Sequence, residues 1–247
     1  MPSGDARTVH PLPDLPIPMT DSLHERELLA QGVAALGLSL PEAALDRLVA
    51  YQGLIARWNK VYNLTALRDP ADMRVQHLLD CLAVLPAFRA AHAEAKASGA
   101  EDLPWRLLDV GSGAGLPGVV LAICEPGWSV TCVDTVAKKA TFIRQVALEL
   151  GLGHLQAVHQ RVEAMEPTAR FDLITSRAFA SLADFIGLTR QRLAPGGRWV
   201  AMKAHLTDAE RGAVPADVAL DRVDPLQVPG LDAARCLVWL SPRPTAG

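Results

Sequence analysis

The sequence has no uninterrupted apolar run approaching twenty residues, so no membrane-spanning helix is expected. Its first 20 residues are polar and rich in proline and lack the basic and apolar blocks of a signal peptide, which predicts a cytoplasmic protein. Cysteine is scarce, and its spacing matches no metal site, so we expect small buried apolar side chains rather than ligands or disulfides. The cysteines are Cys81, Cys124, Cys132 and Cys236.

Positive charge is not in excess. The chain has 24 Lys and Arg against 27 Asp and Glu, a net charge of −3 that argues against general affinity for nucleic acid. The distribution is uneven, however, because ten basic residues stand against five acidic ones between Val136 and His205. Two interpretations stay open: solvated helix faces, or a phosphate-binding face beside a cofactor.

Residues 107–118 read Leu-Leu-Asp-Val-Gly-Ser-Gly-Ala-Gly-Leu-Pro-Gly, which predicts a buried strand, a glycine-dense turn and the start of a helix. The next apolar run, residues 128–134, ends in Asp134. Glycines let a ligand approach the backbone closely, and a carboxylate about twenty residues further on can accept hydrogen bonds from ribose hydroxyls. This arrangement predicts a site for an adenosine-bearing cofactor.

The glycine spacing distinguishes two cofactors. Gly111, Gly113 and Gly115 follow the strand directly, which is usual in enzymes that use S-adenosylmethionine. A shifted register that ends at Gly118 matches the dinucleotide fingerprint, but Pro117 removes one of the N–H groups that a pyrophosphate would need. The spacing therefore favours S-adenosylmethionine. An NAD-dependent oxidoreductase and a non-catalytic module that binds cofactor or RNA are the alternatives.

From Trp105 onward the apolar patterns alternate between strand and helix, which predicts a Rossmann-like α/β fold with a mostly parallel sheet and right-handed crossovers. We expect strands at 105–110, 128–133, 155–159, 171–175, 197–203 and near 214–220, and helices at 117–125, 136–150 and 182–193. The apolar run Cys236–Leu240 is expected to be the last strand, antiparallel and at the sheet edge.

The N-terminal part has a different pattern. Residues 1–20 are expected to form a disordered tail. Capping-box sequences at Ser22–Glu25 and Ser39–Glu42 predict the starts of two helices, and Asp69 followed by proline predicts a third. We therefore predict a helical cap and linker over residues 21–103 and a cofactor-binding domain over residues 104–247.

Ligands of such sheets bind beyond the carboxyl ends of the strands. The segment Ser176–Phe179 follows the fourth strand and is expected to face cofactor and substrate. Val162 and Glu163 follow the third strand, where they could line an adenine ring. Asp109 ends the first strand, and two roles stay open for it: contact with the cofactor's amino group, or capping of loop N–H groups.

Two devices of nucleobase methylation are missing from the chain: the Asn/Asp-Pro-Pro-aromatic turn used on exocyclic amines and the Pro-Cys pair used on pyrimidine carbon. Guanine N7 needs neither, because its lone pair attacks a sulfonium methyl directly and no proton leaves. Such a reaction needs positioning rather than an acid or a base, so no catalytic acid–base residue is predicted. Arg177 and Lys203 are the positioning candidates, and Phe179 either stacks on a base or packs in the core.

Three runs of sequence, taken together and in this order, resemble the glucose-inhibited division protein B family of bacterial small-subunit ribosomal RNA guanine-N7 methyltransferases. They are Trp58–Thr65 (Trp-Asn-Lys-Val-Tyr-Asn-Leu-Thr), Leu108–Gly118, and Ser176–Ser181 (Ser-Arg-Ala-Phe-Ala-Ser). The resemblance extends from about residue 25 to 240. Cys81 and Ala204 depart from it, standing where the family commonly has serine and glycine.

The resemblance implies a seven-stranded class I methyltransferase sheet with an N-terminal helical cap. It also implies methyl transfer from S-adenosylmethionine to guanine N7 in the decoding region of 16S ribosomal RNA, with the small ribosomal subunit as partner. Together with the glycine pattern it predicts a set of cofactor-binding residues: Gly111, Gly113, Gly115, Leu116, Asp134, Val162, Glu163 and Arg177. The basic residues expected to engage RNA are Lys138, Lys139, Arg144, Arg177 and Lys203. A monomer with neither metal nor membrane partner is expected.

Overall fold

The structure is a computed structural model that describes residues 19–98, 104–177, 179 and 181–244. The tail predicted for residues 1–20 lies outside the described residues, apart from the two that begin the first helix. In the described part of the chain, no helix is long and apolar enough to cross a bilayer.

The N-terminal part is helical. It comprises α1 (Met19–Ala35), α2 (Glu42–Tyr62), α3 (Pro70–Met73), a π-helix (Arg74–Leu79), α4 (Asp80–Leu82) and α5 (Leu85–Ala97). Asp69 begins α3 as predicted, since its side chain accepts hydrogen bonds from the N–H groups of Ala71 and Asp72. The predicted capping box at Ser39 is wrong: Pro41 precedes α2, and the residue before a proline is kept extended. Ser22 lies inside α1 rather than at its start.

The described residues after this helical part form a seven-stranded sheet in the order β3-β2-β1-β4-β5-β7-β6. Its strands are β1 (Trp105–Val110), β2 (Trp128–Asp134), β3 (Leu155–His159), β4 (Phe171–Ser176), β5 (Leu193–Lys203), β6 (Val218–Leu226) and β7 (Arg235–Pro242). The helices between them are α6 (Gly118–Cys124), α7 (Ala137–Glu149), α8 (Leu182–Thr189) and α9 (Asp208–Gly212). Strands β1 to β5 pair in parallel, and β7 runs antiparallel to both of its neighbours.

The predicted place of the last strand is wrong. β7 is antiparallel as expected, but it lies between β5 and β6, and β6 forms the edge. The reason is burial, because the run Cys236–Leu240 is buried throughout whereas β6 is largely half-exposed. A continuous apolar run is typical of a strand covered on both faces, and such a strand belongs inside the sheet. β6 also starts four residues later than the predicted 214–220.

The helical part packs on the sheet through a shared hydrophobic core. Leu48 and Trp58 of α2 belong to the same buried cluster as Leu107 of β1 and Phe142 of α7. The rings of Trp58 and Phe142 meet edge to face, 5.3 Å between centroids. The helices therefore form one wall of the sheet's own core.

The close packing of the sheet against α6 can be tested by a substitution at Gly118, the first residue of that helix. A Cβ at this position would collide with Cys132 Sγ on β2 and would lie 2.9 Å from Asp109 Oδ2. We expect Gly118→Ala to lower the free energy of unfolding by about 1–3 kcal/mol, because neither strand neighbour can move freely. The control is Gly127→Ala, where an added Cβ meets nothing within 4 Å. Equal urea midpoints for the two variants would contradict the prediction.

Candidate cofactor and substrate site

The glycine loop, residues 111–117, lies beyond the carboxyl end of β1. Gly111 N–H donates to the carbonyl oxygen of Val133 on β2 at 2.9 Å, which ties the loop to the neighbouring strand. Gly111 and Gly113 have φ values of +69° and +60°, a conformation that glycine adopts without strain. A Cβ added to Gly111 would meet nothing within 4 Å, so this face of the loop is open to a ligand.

Asp134 holds the loop from the end of β2. One carboxylate oxygen accepts the N–H of Gly113 at 2.9 Å and the other accepts the N–H of Val136 at 2.8 Å. Lys139 Nζ lies 3.7 Å from the same carboxylate. Because each carboxylate oxygen has a further lone pair, these bonds leave acceptor capacity for ribose hydroxyls. The ribose contact predicted for Asp134 stays a prediction.

Asp109 caps the helix that follows the loop. Its Oδ2 accepts the N–H of Gly118 at 2.8 Å, while Oδ1 has no partner among the described residues. Burial of the carboxyl raises the pKa of Asp109 to about 7, although the Gly118 N–H and Arg177 act in the opposite direction. Of the two roles left open for Asp109, the structure supports capping.

The same contact argues against the dinucleotide register. A pyrophosphate would bind the free N–H groups at the start of α6. Here Pro117 has no N–H, and the N–H of Gly118 already donates to Asp109. Gly115 is not open to a ligand either, because Val119 occupies the space beside it: a Cβ added to Gly115 would collide with the Val119 side chain.

A cavity of about 990 Å³ opens in front of the loop. Its walls come from the π-helix, the loop that follows α2, the glycine loop, the ends of β4 and β5 and the start of β7. It is lined by Leu64–Leu67, Gln76, His77, Asp80, Gly111–Ala114, Leu116, Lys139, Arg177, Phe179, Met202–His205, Thr207, Glu210 and Arg235. Among the predicted site residues, it brings together Gly111, Gly113, Leu116, Lys139, Arg177, Phe179 and Lys203.

One buried carboxylate joins two arginines at the cavity wall. Asp80, 3% exposed, lies 3.3 Å from Arg177 Nη1, and its other oxygen accepts a hydrogen bond from Arg235 Nε at 3.0 Å. Arg177 also donates to the backbone carbonyl of Gln76 at 2.9 Å. Sequence reasoning found Arg177 but missed Asp80 and Arg235, because these partners lie on segments far apart in the chain. Asp80 and the carbonyl of Gln76 hold Arg177 at the wall of the cavity.

Two further polar side chains of the cavity, those of Lys203 and His77, each have a partner. Lys203 Nζ lies 2.6 Å from Glu210 of α9. His77 Nε2 lies 2.9 Å from Thr65 Oγ1, and burial lowers the pKa of this histidine to about 4, so the ring is neutral at physiological pH. The ring of Phe179 packs 5.4 Å from that of Phe185, which supports the core-packing interpretation, although Phe179 also lines the cavity.

A tyrosine of the helical part reaches the glycine loop. The hydroxyl of Tyr51, on α2, donates to the carbonyl oxygen of Ala114 at 2.6 Å. Tyr51 is fully buried, and burial raises the pKa of its hydroxyl well above the usual value, so it remains a donor. The sequence carries no signal for this contact, because nothing in it indicates which residue of α2 faces the loop.

Several predicted site residues lie outside the cavity. Val162 is buried in a 3-10 helix after β3, in one cluster with Val110 and Val133, and Glu163 beside it is exposed. Lys138 and Arg144 donate to backbone carbonyls, at Tyr62 and Ala157. The adenine-side role of Val162 and Glu163 remains a prediction, as do the RNA contacts of the two basic residues.

The raised pKa of Asp109 predicts a pH effect on stability. The folded protein holds this proton up to about pH 7, whereas the unfolded chain loses it near 3.8, so the stabilisation is fully present below pH 3.8 and is lost toward pH 7. Asp109→Asn cannot ionise and keeps an oxygen for Gly118. We expect its free energy of unfolding, relative to the parent, to rise by roughly 1–4 kcal/mol between pH 4 and pH 8 in urea titrations. A constant difference would contradict this prediction.

Comparisons with known proteins identify the family of the chain. A family model described as rRNA small subunit methyltransferase G matches residues 44–238. The chain is 54% identical to the ribosomal RNA small subunit methyltransferase G of Leptothrix cholodnii, over 90% of this chain and 98% of that protein. It is also 54% identical to the protein of the same name from Methylibium petroleiphilum, over 86% of this chain and 92% of that one.

Among solved structures, a SAM dependent methyltransferase from Aquifex aeolicus has the same fold, with a TM-score of 0.50 and 16% identity over 72% of this chain and 96% of that one. The family model and the relatives cover most of the chain, as the resemblance of the three sequence runs predicted. The chain belongs to the GidB family, that of rRNA small subunit methyltransferase G.

Proposed function

We propose that this protein transfers a methyl group from S-adenosylmethionine to N7 of a guanine in the decoding region of 16S ribosomal RNA. The observation that carries the proposal is the open glycine loop at the wall of a cavity whose other walls hold arginine and lysine. The relatives named as rRNA methyltransferases, which match nearly from end to end, support the same activity.

The residues around the loop suit an adenosylated methionine. Gly111 and Gly113 present backbone without side chains, and the buried hydroxyl of Ser112 has no partner in the described part of the chain. Asp134 keeps acceptor capacity for ribose hydroxyls beside them. Val162 and Glu163 would adjoin the adenine, and Leu116 would pack beside the methionine portion. When bound, the cofactor supplies a methyl group on a positively charged sulfur.

The chain's own residues have a limited chemical task. Guanine N7 would supply the lone pair and the bound cofactor the methyl group, so no residue of the chain would have to act as an acid or a base. No proton is transferred, which fits a cavity in which His77 is neutral and most charged groups are paired. Arg177, held by Asp80 and Gln76, and Lys203 would bind phosphate or the O6 edge and align N7 with the methyl carbon.

We further infer that the enzyme acts in the cytoplasm, where its ribosomal substrate is found, and that it acts as a monomer. A single copy of the chain supplies all the residues assigned to the site.

The test is methyl transfer from labelled S-adenosylmethionine to small ribosomal subunits from a strain that lacks this modification, followed by identification of the modified base. We expect the label in 7-methylguanine. Asp134→Ala should lower kcat/KM by roughly 10- to 100-fold, because it removes charge-assisted hydrogen bonds at the loop. The exposed acid Glu166, before β4, supplies the control variant Glu166→Ala. Cofactor binding without transfer to any subunit or RNA would favour a non-catalytic module.

The Tyr51 contact predicts a second effect. Tyr51→Phe removes the donor to Ala114 and so loosens the loop that would hold the cofactor. We expect a roughly fivefold lower affinity for S-adenosylhomocysteine in titration calorimetry, which corresponds to about 1 kcal/mol. The chain has only one other tyrosine, Tyr62 at the end of α2, and its hydroxyl bonds to no described residue. Tyr62→Phe should therefore bind normally, and equal affinities for the two variants would refute the role of Tyr51.

A further inference from the structure

The Trp58–Thr65 run forms the end of α2 and the start of an ordered loop. Asn59, 4% exposed, donates to the carbonyl oxygen of Leu67 at 2.9 Å and accepts the N–H of Thr65 at 2.9 Å. The N–H of Leu67 donates in turn to Thr65 Oγ1 at 3.0 Å. The loop is thus fixed from within, by one buried amide, before any ligand binds.

Three cations lie at this loop or on the helix turn that precedes it, and we call them the cationic corner: Lys60, Arg68 and Lys138. Arg68 donates to the carbonyl oxygen of Thr65 at 2.8 Å and to Asn63 Oδ1 at 2.7 Å. Lys138 donates to the carbonyl oxygen of Tyr62 at 2.9 Å. Lys60 is exposed on the last turn of α2.

The corner cations have no carboxylate partners among the described residues. Within the described ranges, no carboxylate lies within 4.0 Å of a corner cation, whereas many other arginines form ion pairs. Arg68 and Lys138 are held by neutral oxygens instead, which fix the side chains without cancelling their charge. In the described part of the chain, the positive charges of the corner are therefore not neutralised by an ion pair, although the whole chain has a net charge of −3.

The corner adjoins the cavity. Leu64 to Leu67, the loop that the corner encloses, line one wall of it, and so does Lys139, the neighbour of Lys138. A nucleotide that enters the cavity keeps its neighbours along the strand outside, and their phosphates must pass over the mouth. Arginine and lysine fixed at such a mouth suit phosphate groups.

We propose that the cationic corner binds the phosphates of the RNA strand that flank the methylated nucleotide. This inference rests on the proposed function and adds Lys60 and Arg68, contributed by the helical part, to Lys138 of the basic segment of residues 136–205, for which RNA contact is already expected. It gives the Trp58–Thr65 run a physical role: Asn59 orders the loop, Tyr62 supplies the carbonyl that orients Lys138, and Asn63 holds Arg68.

The experiment measures affinity for undermethylated small subunits at several salt concentrations, with S-adenosylhomocysteine present. Arg68→Ala and Lys60→Ala should each weaken binding and flatten the plot of log affinity against log salt by about 0.7–0.9 for each lost phosphate contact. Arg68→Lys should largely restore the slope, because the charge remains. In methylation assays the loss should appear mainly as a higher KM.

The matched control is Lys96→Ala. Lys96 is an exposed lysine beside a groove at the opposite end of the sheet, where β1 and β4 begin. It should keep both the affinity and the slope of the parent. If Arg68→Ala and Lys60→Ala both kept the parent's slope of log affinity against log salt, the proposed RNA contact of the cationic corner would be wrong, while the proposed methylation would stand. Failure of the parent protein to methylate subunits would overturn the proposed function instead. Because Lys60 bonds to no described residue, its variant tests charge without disturbing the loop.

Discussion

The site depends on two buried carboxylates, one of which holds the glycine loop and the other the start of the helix that follows it. Asp134 accepts the N–H of Gly113, and Asp109 accepts that of Gly118. Gly111, Gly113 and Gly115 have positive φ values that only glycine adopts cheaply, so the loop needs outside anchors rather than side chains of its own. The burial of Asp109, with a pKa near 7, is a cost that the fold bears to keep α6 in register with the loop.

A third anchor comes from the helical part, and it explains why those helices pack into the core of the sheet. Tyr51 reaches the loop at Ala114, and Asp80 holds Arg177 and Arg235 at the cavity wall. The hydrophobic packing of α2 against α7 fixes the position of α2, and with it the position of Tyr51 relative to the glycine loop. The glycine loop, the two arginines bound to Asp80 and the cationic corner are therefore all supported by the packed helical part.

Local patterns sufficed to predict the parallel strands, the glycine loop and Asp134 at the end of β2, because each depends on residues close in sequence. Contacts between distant segments could not be predicted: Asp80 and Arg235 are 155 positions apart, and Tyr51 and Ala114 are 63 apart. The same limit applies to β7. Its apolar run indicates a strand, but only the competition between β6 and β7 for burial decides which one forms the edge.

The reversed direction of β7 determines what the cavity contains. Strands β1, β4 and β5 end at the cavity, yet β7 begins there, with Cys236 paired to Lys203. Strand polarity alone thus brings Arg235, the first residue of β7, within reach of Asp80. Were β7 parallel to its neighbours, its eight residues would carry Arg235 roughly 25 Å away, to the far edge of the sheet. A single antiparallel strand in an otherwise parallel array completes the arginine pair.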